Sequence, residues 1–134
     1  MDDDSIAKQV EYWKKSSERD IETARSLFVL KRYDSCLFFC HLAIEKSLKG
    51  LVAEKTKEPA PYSHDLPELA ELAGLAISEE KMSHLKTIST FNIGGRYDDY
   101  KLTFYKKCTR EYSEEYLKVA EEIFAWFQQQ YKSI

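Results

Sequence analysis

The sequence predicts an all-α protein, an up-and-down bundle of four to five helices. Apolar residues recur at helical spacing over several long stretches of the chain. Only four glycines and three prolines interrupt 134 residues, of which 43% are hydrophobic. A chain of this size buries one sizeable core, so we expect residues 1–134 to form a single helical domain.

The longest apolar stretch covers residues 33–55 and predicts the central helix of the bundle, over about 34–54. Its first half is apolar around nearly the whole circumference, which is typical of a helix buried on several sides. Three charged residues, Glu45, Lys46 and Lys49, then follow beside the core. We therefore expect a polar site on the second half of this helix.

Shorter patterns place the neighbouring helices. Apolar residues alternate at three and four positions over 5–30, and the short connection that follows predicts an antiparallel neighbour for the central helix. Asp65 resembles the cap of a short helix that ends at Gly74. Ser78 begins another helix, which ends near residues 92–95.

The last part of the chain combines an aperiodic segment with an aromatic helix. No period holds over 92–108, so this segment is either a functional loop or contains a short element that the pattern misses. Thr109 caps a last helix over 110–131. That helix carries more aromatic residues than one bundle face needs, among them Phe124 and Trp126, which suggests a self-association surface.

Composition excludes several classes of function. The net charge of −3 gives no global attraction to nucleic acid or membrane, and no apolar run approaches the roughly 20 residues of a membrane span. The acidic start of the chain is not a signal peptide. Three cysteines, with Cys36 and Cys40 in an apolar helix, indicate buried thiols in a reduced cytoplasm rather than disulfides or a metal site with His41. We expect no metal and no cofactor.

Four short segments occur in order along the chain: YDS at 33–35, AIEKSLK at 43–49, SHDLPEL at 63–69 and RYDD at 96–99. Together they resemble the HEPN domain (higher eukaryotes and prokaryotes nucleotide-binding). The similarity runs from residue 13 to residue 126, nearly the whole chain. It implies a helical bundle that forms a homodimer.

The resemblance also implies one of two activities. Many HEPN proteins are partners of a minimal nucleotidyltransferase in two-component, toxin–antitoxin-like modules. Many others are metal-independent ribonucleases with an arginine and a histidine four to six residues apart. None of the three histidines, His41, His64 and His84, follows an arginine at that spacing. The chain is therefore expected to lack that catalytic pair, and we assign no catalytic residue.

The charged set of the central helix has two interpretations. Glu45 and Lys49 stand at i and i+4 and could form an ordinary ion pair on a solvated helix face. In the functional interpretation, Lys46 or Lys49 lies near Arg96, and together they hold a phosphate by charge-assisted hydrogen bonds.

His64 and the RYDD segment likewise have two interpretations each. His64 either packs over the start of the helix that Asp65 caps, or points into a cleft where its imidazole binds a ligand or transfers a proton. RYDD resembles an Arg-Tyr-Pro-Asp variant of the family, with aspartate in place of proline. Its arginine suits a phosphate and its tyrosine a base, whereas a purely structural loop would pair Arg96 with Glu45 or Asp98.

The sequence thus predicts a non-catalytic HEPN-like homodimer that binds a nucleotide or an RNA end, as partner of a minimal nucleotidyltransferase. One alternative is a ribonuclease that uses Arg96 with His64. Another is a pure interaction module, in which a charged residue at Phe124 or Trp126 would break the assembly. The predicted ligand-binding residues are Glu45, Lys46, Lys49, His64, Arg96, Tyr97, Asp98 and Asp99.

Overall fold

The structure, a computed structural model, describes residues 2–132. The remaining residues of the predicted domain, 1 and 133–134, lie outside this part. Within it the chain forms helices and no strands, which confirms the predicted all-α bundle. None of these helices is both long and apolar enough to cross a membrane. The helices are α1 (Asp3–Val29), α2 (Tyr33–Thr56), α3 (Leu66–Leu72), α4 (Glu79–Ser89), α5 (Asp98–Lys107) and α6 (Arg110–Gln130).

The first two helices form an antiparallel pair, as predicted. The Asp2 carboxylate caps α1 by accepting a hydrogen bond of 2.8 Å from the Ser5 amide. The narrow apolar seam of α1 turns toward α2. Its buried positions are Ile6, Val10, Ser17, Ile21 and Ala24, while Trp13 is partly buried. The chain reverses at Lys31, whose φ of 63° is in the left-handed region.

The second helix is the centre of the fold. It packs against α1, α3, α4, α5 and α6, and 15 of its residues are buried. The buried set includes three charged side chains, Glu54 and the pair formed by Glu45 and Lys49. The interpretation of this pair as a solvated helix face was therefore wrong, because α2 has neighbours on nearly every side.

The caps predicted for the short helices are confirmed. The Asp65 carboxylate accepts from the Glu68 amide at the start of α3, and the Ser78 hydroxyl accepts from the Lys81 amide at the start of α4. Gly74 follows the last residues of α3 with a φ of 68°, the left-handed conformation that ends many helices.

Helix α5 lies inside the segment in which no period was found. Only Phe104 of this helix is buried, so there is no apolar stripe for a periodicity argument to detect. Its ends do carry a helical signal, because two aspartates occupy the first turn and two lysines the last. The described residues therefore hold six helices, one more than the expected four to five.

Most aromatic residues of α6 pack against other parts of the same chain. Helix α6 buries Phe124, Phe127 and other apolar residues, and Tyr131 is buried just beyond its end. Tyr112 and Tyr116 pack edge-to-face with the ring of Phe91, with ring centroids 6.2 and 5.4 Å away. The surplus is therefore explained by core packing and is no argument for self-association.

Candidate functional site

A buried carboxylate on α2 organises the polar site. The Glu45 side chain is only 6% exposed, and its Oε1 lies 2.8 Å from Nδ1 of His64. Its other oxygen, Oε2, lies 3.2 Å from Nζ of Lys49, which is 7% exposed. Three of the predicted residues thus form one cluster, and Glu45 joins the other two.

His64 is held at the edge of this cluster by its backbone. Its carbonyl oxygen accepts a hydrogen bond from the Ser89 hydroxyl of α4, and the next helix begins two residues later. Its side chain is 46% exposed, so the imidazole reaches from the buried carboxylate to solvent. Asp65 caps α3, as expected if His64 were only part of a helix start. The His64 imidazole nevertheless also faces the polar site, as expected in the functional interpretation.

The contact with Glu45 fixes the chemistry of the imidazole. A carboxylate can only accept, so Nδ1 of His64 carries a proton and donates to Glu45 Oε1. In the neutral ring the second nitrogen, Nε2, is then an acceptor. No residue within 2–132 bonds to Nε2, which leaves this atom for a ligand.

His41 is a member of the cluster that the sequence interpretation left out. It is fully buried, and its Nε2 lies 3.3 Å from the His64 carbonyl oxygen and 3.6 Å from Glu45 Oε1. Its Nδ1 has no hydrogen-bond partner among the described residues. Burial lowers the pKa of His41, although Glu45 opposes this effect. The i, i+4 spacing of His41 and Glu45 in the sequence was the signal that could have placed His41 in this cluster.

Two aromatic residues border the cluster. Tyr62 is 94% exposed, and its ring lies edge-on to the His64 imidazole with centroids 5.3 Å apart. The Lys49 ammonium lies 5.5 Å from the centroid of the Trp13 ring and 6.0 Å from that of Tyr62. The sequence interpretation missed both rings, because nothing in the spacing of the chain brings α1 and the loop before α3 together.

Lys46 does not belong to this cluster. Its Nζ lies 2.7 Å from Oδ2 of Asp20 and 2.8 Å from the hydroxyl of Ser16, both on α1. Its charge therefore links α1 to α2, away from His64.

The RYDD segment makes its own set of contacts. The Arg96 guanidinium lies over the Tyr100 ring at 4.8 Å, and its Nε donates to the Asn92 carbonyl at 3.4 Å. The expected pairing with Glu45 or Asp98 was wrong, because the arginine folds back over α5. Tyr97 is the N-cap residue of α5 and is 89% exposed, while Asp98 and Asp99 form the first turn.

The loop that carries Arg96 nevertheless lies on the same face of α2 as the cluster. A side-chain carbon placed on Gly94 would lie 3.6 Å from Cζ of Phe38. Phe38 precedes Glu45 by seven residues, which is two turns of helix. At about 1.5 Å per residue the two positions are roughly 10 Å apart along α2. Arg96 and His64 are thus neighbouring features of one face rather than parts of one contact.

The arrangement suits anion binding or proton transfer more than metal binding. No group of three or more His, Cys, Asp or Glu side chains among residues 2–132 is placed to hold a metal ion. Cys36 and Cys40 are buried as predicted. A hydrogen bond with Cys36, followed by burial, raises the pKa of Cys40 well above its usual value, so this thiol stays protonated.

Comparison with known proteins decides the family. The family model of the HEPN domain matches residues 10–130. The chain belongs to the HEPN domain family. No curated protein matches this HEPN chain.

Two solved structures are similar to it in fold. One is TT1696 from Thermus thermophilus, with a TM-score of 0.75 and 23% identity over 92% of this chain and 98% of that one. The other is ST0689, described as an archaeal HEPN homologue, with a TM-score of 0.71 and 22% identity over 90% of this chain and 96% of that one. The likeness extends over nearly the full length of both structures, so these three chains share the bundle described above.

Proposed function

We propose that residues 1–134 form one cytoplasmic HEPN-like domain that binds a nucleotide or an RNA end at the Glu45–His64 cluster without cleaving it. The observation that carries the proposal is the 2.8 Å contact between Glu45 Oε1 and His64 Nδ1. It holds a half-exposed imidazole in one orientation, and a ligand group then meets a preorganised partner at a smaller entropic cost.

The surroundings of His64 suit a nucleotide. When protonated, the imidazole donates from Nε2 to a phosphate oxygen through a charge-assisted hydrogen bond. The exposed ring of Tyr62 stands beside it and offers a face on which a base can stack. Lys49 adds a positive charge near the same rings, although its contact with Glu45 neutralises part of that charge.

Binding without cleavage agrees better with the residues present than cleavage does. Cutting RNA without a metal requires one group to take a proton from the attacking hydroxyl and another to protonate the leaving oxygen. His64 is a single imidazole. His41 is buried, and Arg96 lies against the Tyr100 ring. The loop of Arg96 touches α2 at Phe38, two turns of helix before Glu45.

The assembly that we propose is a homodimer that serves as partner of a minimal nucleotidyltransferase in a two-component module. This part rests on the family resemblance. Co-expression with an adjacent nucleotidyltransferase, followed by affinity purification, tests it. We expect a complex of defined stoichiometry, and recovery of the HEPN chain alone would contradict the partnership.

The ligand is tested by titration with nucleotides and short RNAs. Intrinsic fluorescence reports binding, because Trp13 borders the site and the only other tryptophan, Trp126, packs between Lys81 and Phe127. We expect His64→Ala to weaken binding and His84→Ala to leave it unchanged. His84 is a matched control, since it is a partly exposed histidine on α4 whose ring lies edge-on to Tyr116. Equal binding by both variants would refute the site.

A ribonuclease is the second candidate, and the Glu45–His64 pair favours it. A carboxylate that orients an imidazole is also the arrangement of a general base. This candidate predicts RNA cleavage that His64→Ala abolishes and that EDTA does not affect. Intact RNA after incubation with the purified protein would exclude it.

A further inference from the structure

A pocket lies at the end of the bundle where the turn from α1 to α2 meets the turn from α5 to α6. Its volume is about 320 Å³. Lys31 and Asp34 line it from the first turn, and Lys106, Cys108 and Thr109 line it from the second. We call it the basic pocket.

Positive charge gathers at the basic pocket, although the chain as a whole has a net charge of −3. Lys31 and Lys106 are exposed, and neither forms an ion pair with any residue in 2–132. Arg32 and Arg110 adjoin the lining in sequence and are also exposed. Among the described residues that line the pocket, Asp34 is the one carboxylate, so the local balance is positive.

Two helix starts add hydrogen-bond donors to the pocket. The first turn of α2 lines it, and no side chain caps the amides of that turn. Thr109 precedes α6, and its hydroxyl oxygen accepts from the Tyr112 amide at 3.2 Å, so the hydroxyl hydrogen can donate elsewhere. The partial positive charge of both helix starts adds to that of the lysines. An anion in the pocket would therefore meet donors from both turns.

Cys108 contributes a buried donor without a partner. It lines the pocket but is only 7% exposed, and no residue within 2–132 forms a hydrogen bond with its sulfur. Burial, followed by the nearby Asp34 carboxylate, raises the pKa of the thiol to about 12. The thiol therefore stays protonated at neutral pH and brings no negative charge to the pocket. Its S–H group is a weak donor that an anion can use.

The backbone of Lys31 has a conformation that favours glycine. The Arg32 amide donates to the Leu27 carbonyl at 2.8 Å and the Lys31 amide to the Phe28 carbonyl at 3.0 Å, the bond pattern of a Schellman motif. Lys31 occupies the left-handed position of this motif, with a φ of 63°. A side chain is disfavoured there, so glycine would make a more stable turn. Strain of this kind concentrates at functional sites, and here it keeps a cation at the pocket.

From these features we infer that the basic pocket binds a phosphate group, either free or as the monoester of a small molecule. Lysines, helix amides, a hydroxyl and a thiol surround one space, and a phosphate dianion has enough oxygens to accept from several of them at once. The Tyr105 ring, which is 62% exposed, also lines the pocket and could cover the esterified group. The inference does not rest on the proposed function, because Asp34 lies about three turns of α2 before Glu45.

Titration with inorganic phosphate tests this site. Potassium phosphate is added to the isotope-labelled whole chain and followed by NMR, with potassium chloride at the same ionic strength as control. We expect phosphate to shift the amide signals of Tyr33, Asp34 and Arg110 along a saturating curve, because these residues begin α2 and α6. Chloride should shift them less and without saturation. The melting temperature should rise with the phosphate concentration.

Two lysines with the same backbone conformation provide a matched pair of variants. Lys31 and Lys57 each follow the end of a helix, with φ values of 63° and 61°. Glycine at either position should raise the melting temperature, by about 3 °C, because it removes the strain. Only Lys31→Gly should weaken phosphate binding, by roughly tenfold, since Lys57 lies at the other end of α2. A more stable protein that has lost its ligand would separate binding from structure.

Three further variants are measured through the same amide signals. Lys106→Ala should lower the affinity for phosphate roughly tenfold. Asp34→Asn should increase it, because a negative charge leaves the lining. His64→Ala should leave it unchanged, which keeps this test independent of the proposed function.

Two monoesters distinguish the sources of the phosphate group. Glycerol phosphate carries the dianion on an aliphatic group and phenyl phosphate on an aromatic one. Tighter binding of phenyl phosphate than of the other two compounds would support an aromatic monoester that packs on Tyr105. Tighter binding of glycerol phosphate would support an aliphatic monoester, and tighter binding of inorganic phosphate would support the free ion.

Three results would overturn the inference. One is a response to phosphate that equals the response to chloride. Another is equal phosphate affinity in the Lys31→Gly and Lys57→Gly proteins. The third is binding that disappears in His64→Ala, which would place the phosphate at the Glu45–His64 cluster and leave the proposed function intact.

Discussion

The Tyr131 hydroxyl donates a hydrogen bond of 2.6 Å to the backbone carbonyl of Ser47, which ties the residue after α6 to the middle of α2. The ring is buried, and burial raises the pKa of its hydroxyl above the usual range. Its oxygen takes the place in which a side chain at position 50 would stand. Gly50 is therefore the residue that lets Tyr131 close the bundle.

We expect Gly50→Ala to destabilise the protein, although alanine is normally better than glycine inside a helix by about 1 kcal/mol. The added carbon would collide with the Tyr131 hydroxyl and lie 3.1 Å from Cβ of Trp13. Overpacking of this kind costs about 1–3 kcal/mol. Urea unfolding measures it. In the Tyr131→Phe background the same change should cost less, and an equal cost in both backgrounds would refute the explanation.

The next prediction concerns the buried carboxylate. Glu45→Gln leaves Lys49 buried without its counterion, so we expect a loss of about 3–5 kcal/mol in the free energy of unfolding. Glu11→Gln is the matched control, because Glu11 and Lys15 form a pair at the same i, i+4 spacing but are 64% and 73% exposed. The control should leave stability nearly unchanged, because solvent screens an exposed ion pair. Similar effects in both variants would show that Glu45 is better solvated than described.

Stability should fall as the pH falls below about 6.5, the usual value for histidine. The pKa of His41 in the folded state is lowered, mainly by burial, so below that pH the unfolded chain takes up a proton that the folded chain does not. The resulting slope is at most about 1.4 kcal/mol per pH unit. Glu45, Lys49 and His64 all face this ring. Unfolding of His41→Gln between pH 7 and pH 5 should show a smaller slope, and an unchanged slope would refute the assignment.

Lys46 and His64 should separate stability from binding. Lys46 holds Asp20 and Ser16 of α1, so Lys46→Met should lower the free energy of unfolding and leave the affinity for nucleotides unchanged. His64→Ala should instead weaken nucleotide binding and have the smaller effect on the free energy of unfolding, because about half of its side chain faces solvent. Calorimetric titration and denaturant unfolding of both variants provide the two measurements. Weaker binding in a folded Lys46→Met protein would restore Lys46 to the site.

Phe124 should behave as a core residue and not as an interface residue. Its side chain is buried within the single chain, so Phe124→Ala should cost about 3–5 kcal/mol in the free energy of unfolding. Trp126 is only partly buried, and Trp126→Ala should cost less. Sedimentation and unfolding of both variants distinguish the two roles. Dissociation of a dimer without loss of monomer stability in Phe124→Ala would contradict the packing.

The sequence by itself determined the class of fold and most of its helices. The periods of α1, α2 and α6, and the caps at Asp65, Ser78 and Thr109, are local features that a chain carries wherever it folds. The order of the HEPN-like segments determined the family for the same reason. The sequence pattern did not predict helix α5, because this helix buries only one of its ten residues and its apolar residues therefore show no period.

Only the tertiary structure decided the contacts of the charged residues. Spacing places Glu45, Lys46 and Lys49 on α2, but the neighbour of each depends on what packs there. Lys46 meets α1, and Glu45 meets His64, whereas the ammonium of Lys49 lies near rings of both α1 and the loop before α3. Arg96 likewise follows the path of its loop back over Tyr100 rather than toward Glu45. Helical periodicity specifies a direction from the helix axis, whereas the partner in that direction is set by packing between segments far apart in the chain.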